Sequence, residues 1–416
     1  MSKRQKLKQK AGFDYKKFEE EALAGLQSGK GLIGEDGILR ELMRHLVQSS
    51  LEGELNHHLK ESKSKGDSNR RNGHTSKTIQ THVGSIQIRP PRDRKGDFEP
   101  QLVGKWDRKL NSGFDAQIIE LYSLGNSLED IQFHLRRMYG VELSTSQLST
   151  ITEQVRGDIE KWQKRPLQSF YILLYLDAIH FKVRENGRVI TKAIYTVYGV
   201  QADGFRDVLC LYVGQGAEGA KEWGRVLEHI KDRGVEDVLF FCVDGLSGFK
   251  EAILEVYPQS VVQRCIVHMI RTSLKFVDDA DTKPLIKDLK KVYQADTEPQ
   301  GLEALSGFEQ TWNEKYPDIA KAWRKNWTEL TAFFGFNWAV RRIMYTTNAV
   351  EGLHRMLRKT TKAKGAFVSE NALMKLLYLT LQRKEKVWKR RVHAYKAIQR
   401  NLAREFGDRF EKHVTD

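Results

Sequence analysis

The feature that most constrains the fold is a change of texture at residue 169, where a series of buried-looking strands begins. The segment "SFYILLYLDAIHFKVR" reads as an apolar strand with Asp177 inside it. An Asn186–Gly187 pair, a favoured two-residue hairpin turn, leads into "RVITKAIYTVYGVQ", and a third strand follows in "GFRDVLCLYVGQ". "AEGAKEWGRVLEHIKDRG" has helical spacing and stops at Gly234; "VEDVLFFCVD" is a fourth, apolar strand ending at Asp244. A helix in "GLSGFKEAILEVYP" and a short strand running into a helix in "SVVQRCIVHMIRTSL" complete the series. The order β-β-β-α-β-α-β-α predicts three antiparallel strands, then parallel ones reached through helical crossovers.

That is the order of a ribonuclease H-like sheet, in which the first and fourth strands are neighbours and Asp177 would stand beside Asp244. Each acid also has a plainer reading. Asp177 fits an edge strand or a locally satisfied carboxylate, and Asp244 fits the N-cap of the next helix. Held side by side, two carboxylates repel unless they share a proton or bind cations, and hard oxygen ligands suit Mg²⁺ or Mn²⁺. A third acid stands in "YTTNAVEGLHRMLRKTTKAKG", where Glu351 is alone among cations. Asn348 as N-cap and Glu351 three residues later fit a capping box. Glu351 equally fits the third ligand of a two-metal site for in-line phosphoryl transfer, and the two roles are compatible. Glu351, Arg355, Arg358 and Lys362 share one helix face, with Val350, Leu353 and Leu357 opposite, so the cations are placed to hold the phosphates on which the metal acts. Between the two parts, residues 276–345 read as wholly helical, with Trp312, Trp323, Trp327 and Trp338. Core packing accounts for most of these tryptophans; one is a candidate to stack on an unpaired base.

The 416-residue chain carries 69 Lys and Arg against 54 Asp and Glu, a net charge of +15 that favours a polyanionic partner, nucleic acid first. No apolar run approaches a bilayer span, and "MSKRQKLKQK" lacks the apolar core of a signal peptide. A cytoplasmic, nucleoid-associated protein of prokaryotic type, with no membrane partner, is expected. Cys210, Cys242 and Cys265 offer no disulfide framework. Cys265 and His268 form a Cys-x-x-His half-motif with no second pair to close a zinc site, and are expected to support the acids or the DNA.

Towards the N-terminus, residues 36–60 predict an amphipathic helix with Leu39, Leu42, Leu46 and Leu51 as its stripe. "SKSKGDSNRRNGHTSKT" then reads as a polar, basic linker, and Ile79, Val83, Ile86 and Ile88 as a hairpin closed off by Pro90 and Pro91. Arg70, Arg71 and Arg89 are candidate phosphate contacts, against the reading of a solvated charged face. Short helices follow. The third starts at Ser144, with Gln147 completing a capping box, in an arrangement that resembles a helix-turn-helix. "ENALMKLLYLTLQRKEKVWKRRVHAYKAIQRNLAREF" predicts one long basic helix at the C-terminal end.

The segments "YLDAIHFKVR", "FCVDGLSGFKEAI", "QRCIVHMIRTSL" and "YTTNAVEGLHRMLRK" resemble the Mutator-type insertion-sequence transposases, the insertion-sequence 256 family, over nearly the whole chain. Thr-Thr-Asn-x-x-Glu and Cys-x-x-His are the specific marks. The resemblance implies an Asp-Asp-Glu triad of Asp177, Asp244 and Glu351 binding two Mg²⁺ or Mn²⁺ ions. It also accounts for the 107 residues from Asp244 to Glu351 by an all-α insertion. The sequence departs from the family pattern at "FNWAVRRIMYTTN" and "MIRTSL", neither of which touches the triad. The expected fold is α/β, a ribonuclease H-like catalytic core interrupted by an all-α insertion domain and preceded by a mainly helical DNA-binding region. Its parts are 1–105 for DNA binding or dimerisation, 106–168 as the helix-turn-helix-like domain, 169–275 as the first part of the core, 276–345 as the insertion, and 346–416 with the Glu351 helix and basic C-terminal helix. The implied activity is transposition: binding of terminal inverted repeats, metal-dependent cleavage, and strand transfer into target DNA by a homodimer or larger synaptic assembly. A transposase-derived regulator without catalysis, and a ribonuclease H-like nuclease or resolvase without strand joining, are the competing readings.

Overall fold

The computed structural model describes residues 14–33, 36–81, 83–108, 110, 114–139, 141–214, 219–245, 248–344 and 348–414, with Phe114 and Asn348 described by backbone alone. Its contacts divide the chain into two compact units, Met1–Gln154 and Val155–Asp416. No helix among the described residues is long and apolar enough to cross a membrane.

The first unit contains α1 (Tyr15–Gln27), α2 (Leu39–Ser64), β1 (Arg71–His74), β2 (Lys77–Thr81), β3 (Gly84–Ile88), β4 (Pro91–Asp93), α3 (Phe114–Ser123), α4 (Leu128–Tyr139) and α5 (Thr145–Glu153). Helix α2 buries Leu51 as expected, but with Val47 and Leu55 rather than with Leu39, Leu42 and Leu46, of which Leu46 is half exposed. A four-residue repeat keeps the buried side chains on one ridge, and Val47 and Leu51 pack with Ile79, Ile86 and Ile88 of the β2–β3 hairpin. The expected linker is not one throughout. Part of it is β1, which pairs antiparallel with β4. Two buried or half-buried acids hold it there. Arg71 donates to Glu52 Oε2 at 2.5 Å, and buried Asp93 accepts from Asn69 Nδ2 at 2.8 Å and from the Gly96 and Phe98 backbone N–H groups at 3.1 and 3.3 Å. Burial pushes the Asp93 carboxyl up, but these donors outweigh it and hold the group well below the usual carboxylate range. The Ser144–Gln147 capping box that starts α5 is present.

The second unit opens with α6 (Arg156–Lys164), then β5 (Phe170–Glu185), β6 (Arg188–Gln201), β7 (Arg206–Val213), α7 (Ala220–Asp232), β8 (Asp237–Val243), α8 (Phe249–Val256), β9 (Val261–Arg264) and α9 (Ile266–Ser273). Asn186 and Gly187 both have positive φ, 49° and 76°, and Glu185 faces Arg188 across the turn. The sheet order is β7-β6-β5-β8-β9. Its β5–β6 and β6–β7 pairs are antiparallel, and its β5–β8 and β8–β9 pairs are parallel. One face packs Leu174, Leu176, Tyr195, Phe241 and Val243 against Trp223, Ile230, Phe249 and Ile253 of α7 and α8.

From Asp279 to Met344 the described chain is helical, with α10 (Asp279–Tyr293), α11 (Glu298–Trp312), α12 (Pro317–Lys325), α13 (Trp327–Leu330) and α14 (Trp338–Met344) joined by turns and one short 3₁₀ stretch. Trp312, Trp323 and Trp327 each donate the indole N–H within the unit, to Asp288, Ser273 and Glu298, while Trp338 is half exposed. After α15 (Asn348–Thr361), the expected single long helix is instead α16 (Glu370–Arg383), α17 (Glu385–Trp388), α18 (Tyr395–Phe406) and α19 (Asp408–Glu411). The break has a cause. Val392 N–H donates to Gly204 O, Arg391 Nε to Asp203 O, and Arg206 N–H to Arg390 O, so residues 390–392 are drawn against the β6–β7 turn. These later helices cover the second face of the sheet. Tyr175 Oη donates to Ile343 O, Tyr198 Oη to Trp388 O, and Phe240 meets Phe336 and Phe406 edge-on.

Candidate active site

Strand register brings the two aspartates together. In the parallel β5–β8 pair, Phe170 faces Asp237 and Leu176 faces Val243 at one constant offset. Continued one step beyond the paired residues, the same offset would set Asp177, in the middle of β5, beside Asp244, just past the end of β8. Parallel neighbours in register project to the same face about 4.8 Å apart, here the face of Tyr175 and Cys242. Carboxyl ends of strands in α/β sheets are where ligands collect. Asp244 also lines a cavity of about 430 Å³ with Lys250, Arg264, Lys325, Asn326 and Glu329. A side chain at Gly245 would collide with the Arg264 guanidinium, which lies across this turn and donates to Asn326 and, at 3.4 Å, to Glu329.

Helix α15 supplies the third acid. Its buried stripe of Val350, Leu353 and Leu357 is the one expected, and His354 joins it. His354 Nδ1 lies 3.3 Å from Asp177 Oδ2, and its Nε2 lies 3.0 Å from buried Thr196 Oγ1 on β6. Both ring nitrogens are thus engaged, and Asp177 is tied to the helix that carries Glu351. Arg355, Arg358 and Lys362 are exposed. The expected capping role of Asn348 falls on a side chain outside the described residues.

Glu351 is gripped by Arg271 of α9, which donates from Nη1 to Oε1 at 2.5 Å and from Nη2 to Oε2 at 2.7 Å. Cys265 is the N-cap of α9, its Sγ accepting the His268 backbone N–H at 3.4 Å. The Cys-x-x-His string is therefore a helix start in this fold, and it fixes the helix that presents Arg271. Cys242, fully buried beside Cys265, has its thiol pushed well above its ordinary value, by burial first and by Cys265 and Asp177 after it.

The three acids offer hard oxygen donors, a set that fits Mg²⁺ or Mn²⁺ rather than a soft ion. Among the described residues the three acids do not have ligand atoms gathered within 4.8 Å; only His58, Asp93 and Asp97 of the first unit do. That group is internally bonded. Asn69 Nδ2 donates to both Asp93 and Asp97, and His58 lies 3.1 Å from Asp97. Arg70 and Arg89 are exposed, whereas Arg71 is engaged by Glu52 and Asn56. Sequence reasoning missed Arg271 and His354. For His354 a signal existed, a histidine placed one residue from an apolar stripe and three after the acid.

Comparison with known proteins gives a consistent picture. The family model described as "Transposase, Mutator family" matches residues 16–391. A probable transposase for an ISRM3-like insertion sequence element from Sinorhizobium fredii is 42% identical over 398 residues, 94% of this chain and 99% of the relative. The transposase for insertion sequence element ISRM3 of Rhizobium meliloti matches over the same extent at 42%. The transposase for insertion sequence element IS256 in transposon Tn4001 of Staphylococcus aureus is 25% identical over 264 residues, 62% of this chain and 67% of that protein.

Proposed function

The chain belongs to the Mutator family of insertion-sequence transposases, and from that premise we propose that it cuts the ends of its own element and joins them to target DNA, using Asp177, Asp244 and Glu351 in a ribonuclease H-like core. The observation that supports the proposal is the β5–β8 register, whose offset, continued one residue past the end of β8, would set Asp177 in the middle of β5 beside Asp244, on the face where His354 of the Glu351 helix meets Asp177. Two Mg²⁺ or Mn²⁺ ions bound by these acids would polarise the phosphoryl oxygens and acidify the attacking water or 3′-hydroxyl. The chain's own part is positioning. His354 fixes one oxygen of Asp177, β8 presents Asp244 at its end, and Arg355, Arg358 and Lys362 offer cations to the DNA backbone along the Glu351 face. The helices between α9 and α15 serve as the insertion domain. The first 168 residues, with the α3–α5 helices and the exposed Arg70 and Arg89, bind the terminal repeats, and two or more copies bring the ends together.

The test is cleavage and strand transfer on an oligonucleotide carrying the element's end, with Mg²⁺ present. Asp177→Ala, Asp244→Ala and Glu351→Ala should each abolish both steps while end binding persists. Full activity in any one of them would remove that residue from the site.

A further inference from the structure

The pair between Arg271 and Glu351 is asymmetric. The Glu351 side chain is 14% exposed and the Arg271 side chain 56%, so the acid is the fixed member and the guanidinium reaches it from solvent. Both carboxylate oxygens are taken, the same atoms through which Glu351 would bind a metal ion. The Arg271 backbone is well anchored. Cys265 caps the start of α9, and Ser273 at its end accepts the buried Trp323 indole N–H at 3.0 Å.

We propose that Arg271 is a two-position residue of the active site, holding Glu351 in the free protein and a non-bridging phosphate oxygen of the DNA when Glu351 engages a metal ion. This rests on the Asp177, Asp244 and Glu351 reading. A guanidinium and a divalent cation compete for one carboxylate, and a solvent-exposed ion pair is the weaker bond. Once displaced, the guanidinium stays tethered to a fixed helix beside the metal site. Its planar fork of N–H donors matches a phosphate as well as it matches a carboxylate. Glu351 is thereby kept in a charge-matched state before loading, and a phosphate ligand is delivered as the metal arrives.

The experiment measures Mn²⁺ binding to the full-length protein without DNA, by the loss of the free-ion electron paramagnetic resonance signal, and separately single-turnover strand transfer at saturating Mn²⁺. Arg271→Gln should bind Mn²⁺ about three- to fivefold more tightly, because a competitor is gone, yet transfer strands at least about tenfold more slowly. Arg271→Lys should fall between the two proteins in rate, since an ammonium lacks the fork. Lys275→Gln removes the same charge one turn further along and should leave Mn²⁺ affinity unchanged. Asp177→Ala and Glu351→Ala should weaken Mn²⁺ binding. Should those two bind Mn²⁺ like the wild type, the triad reading falls and this proposal with it. Should they lose Mn²⁺ while Arg271→Gln is unchanged, weaker, matched by Lys275→Gln, or fully active, the role of Arg271 alone is overturned.

Discussion

Strand β8 has an aspartate at each end, and the two live in opposite surroundings. Asp237, at its start, is saturated by Arg409, which donates from Nε and Nη2 to its two oxygens at 2.9 and 2.7 Å and adds a bond to the Gln259 carbonyl. Burial pushes the Asp237 carboxyl up, but the guanidinium outweighs it and leaves the group below its ordinary value. Asp244, just past the other end, opens onto a cavity with three cationic side chains around it. One aspartate is thus a clasp for the C-terminal helices, and the other, just beyond the strand, lines a cavity.

Breaking each end should give separable losses. The largest is expected at the open end, where Asp244→Asn or Asp177→Asn should slow strand cleavage about a thousandfold or more, with urea unfolding shifted by no more than about 1 kcal/mol. At the closed end, Asp237→Ala should cost about 2–4 kcal/mol of stability by leaving Arg409 part-buried and unpaired, while cleavage per folded molecule is kept. The pH dependence sharpens the contrast. Because the folded Asp237 carboxyl is depressed, its contribution is present above the unfolded value near ~4 and lost as pH falls through the folded one. The stability gap between wild type and Asp237→Asn, followed by urea titrations, should therefore narrow in acid. Between these two cases stands His354→Ala, expected to lower cleavage about ten- to a hundredfold by freeing the Asp177 carboxylate, with Asn at this position restoring part of it. The smallest effect is expected from Arg358→Ala. It should flatten the log–log salt dependence of DNA binding by about one unit and lower strand transfer at moderate salt, with partial recovery at low salt. Transfer that is unchanged across the salt series would mark Arg358 as a solvated surface residue.

Features decided by neighbours in sequence were legible in the chain. The Asn186–Gly187 turn, the Ser144–Gln147 capping box, the order of strands and helices from residue 169 and the buried stripe of α15 all follow from local periodicity and turn chemistry. The side-by-side placement of β5 and β8, the first and fourth strands from residue 169, followed because topology converts that order into strand neighbours. Contacts closed over long distances were not legible. Arg271 meets Glu351 across 80 residues and His354 meets Thr196 across 158, and nothing in the pattern around either partner names the other. The C-terminal helix misled for a related reason. Its helical periodicity is real, but the backbone around Val392 finds better hydrogen-bond partners on the β6–β7 turn than in its own helix, and tertiary bonds overrode local preference. Arg71 failed in the same way, since a basic run looks solvated until Glu52 is seen beneath it.

Gln263 on β9 carries a consequence for how such a protein could be taken apart. Its side chain is fully buried, its amide nitrogen donates to Leu330 O at 2.9 Å, and its amide oxygen accepts the Phe333 N–H at 2.9 Å. The same nitrogen donates to Arg264 O of β9 at 2.7 Å, so the helical stretch between α9 and α15 supplies the partner of the amide oxygen and one of the two partners of the nitrogen. Excision of that stretch would strand the amide oxygen and remove one of the two bonds of the nitrogen, a loss on the order of 1–3 kcal/mol for a buried group left unpaired. The helices are therefore no detachable module. A minimal catalytic fragment made by deleting them would lose the hydrogen bonds that tie them to β9, the strand paired with β8.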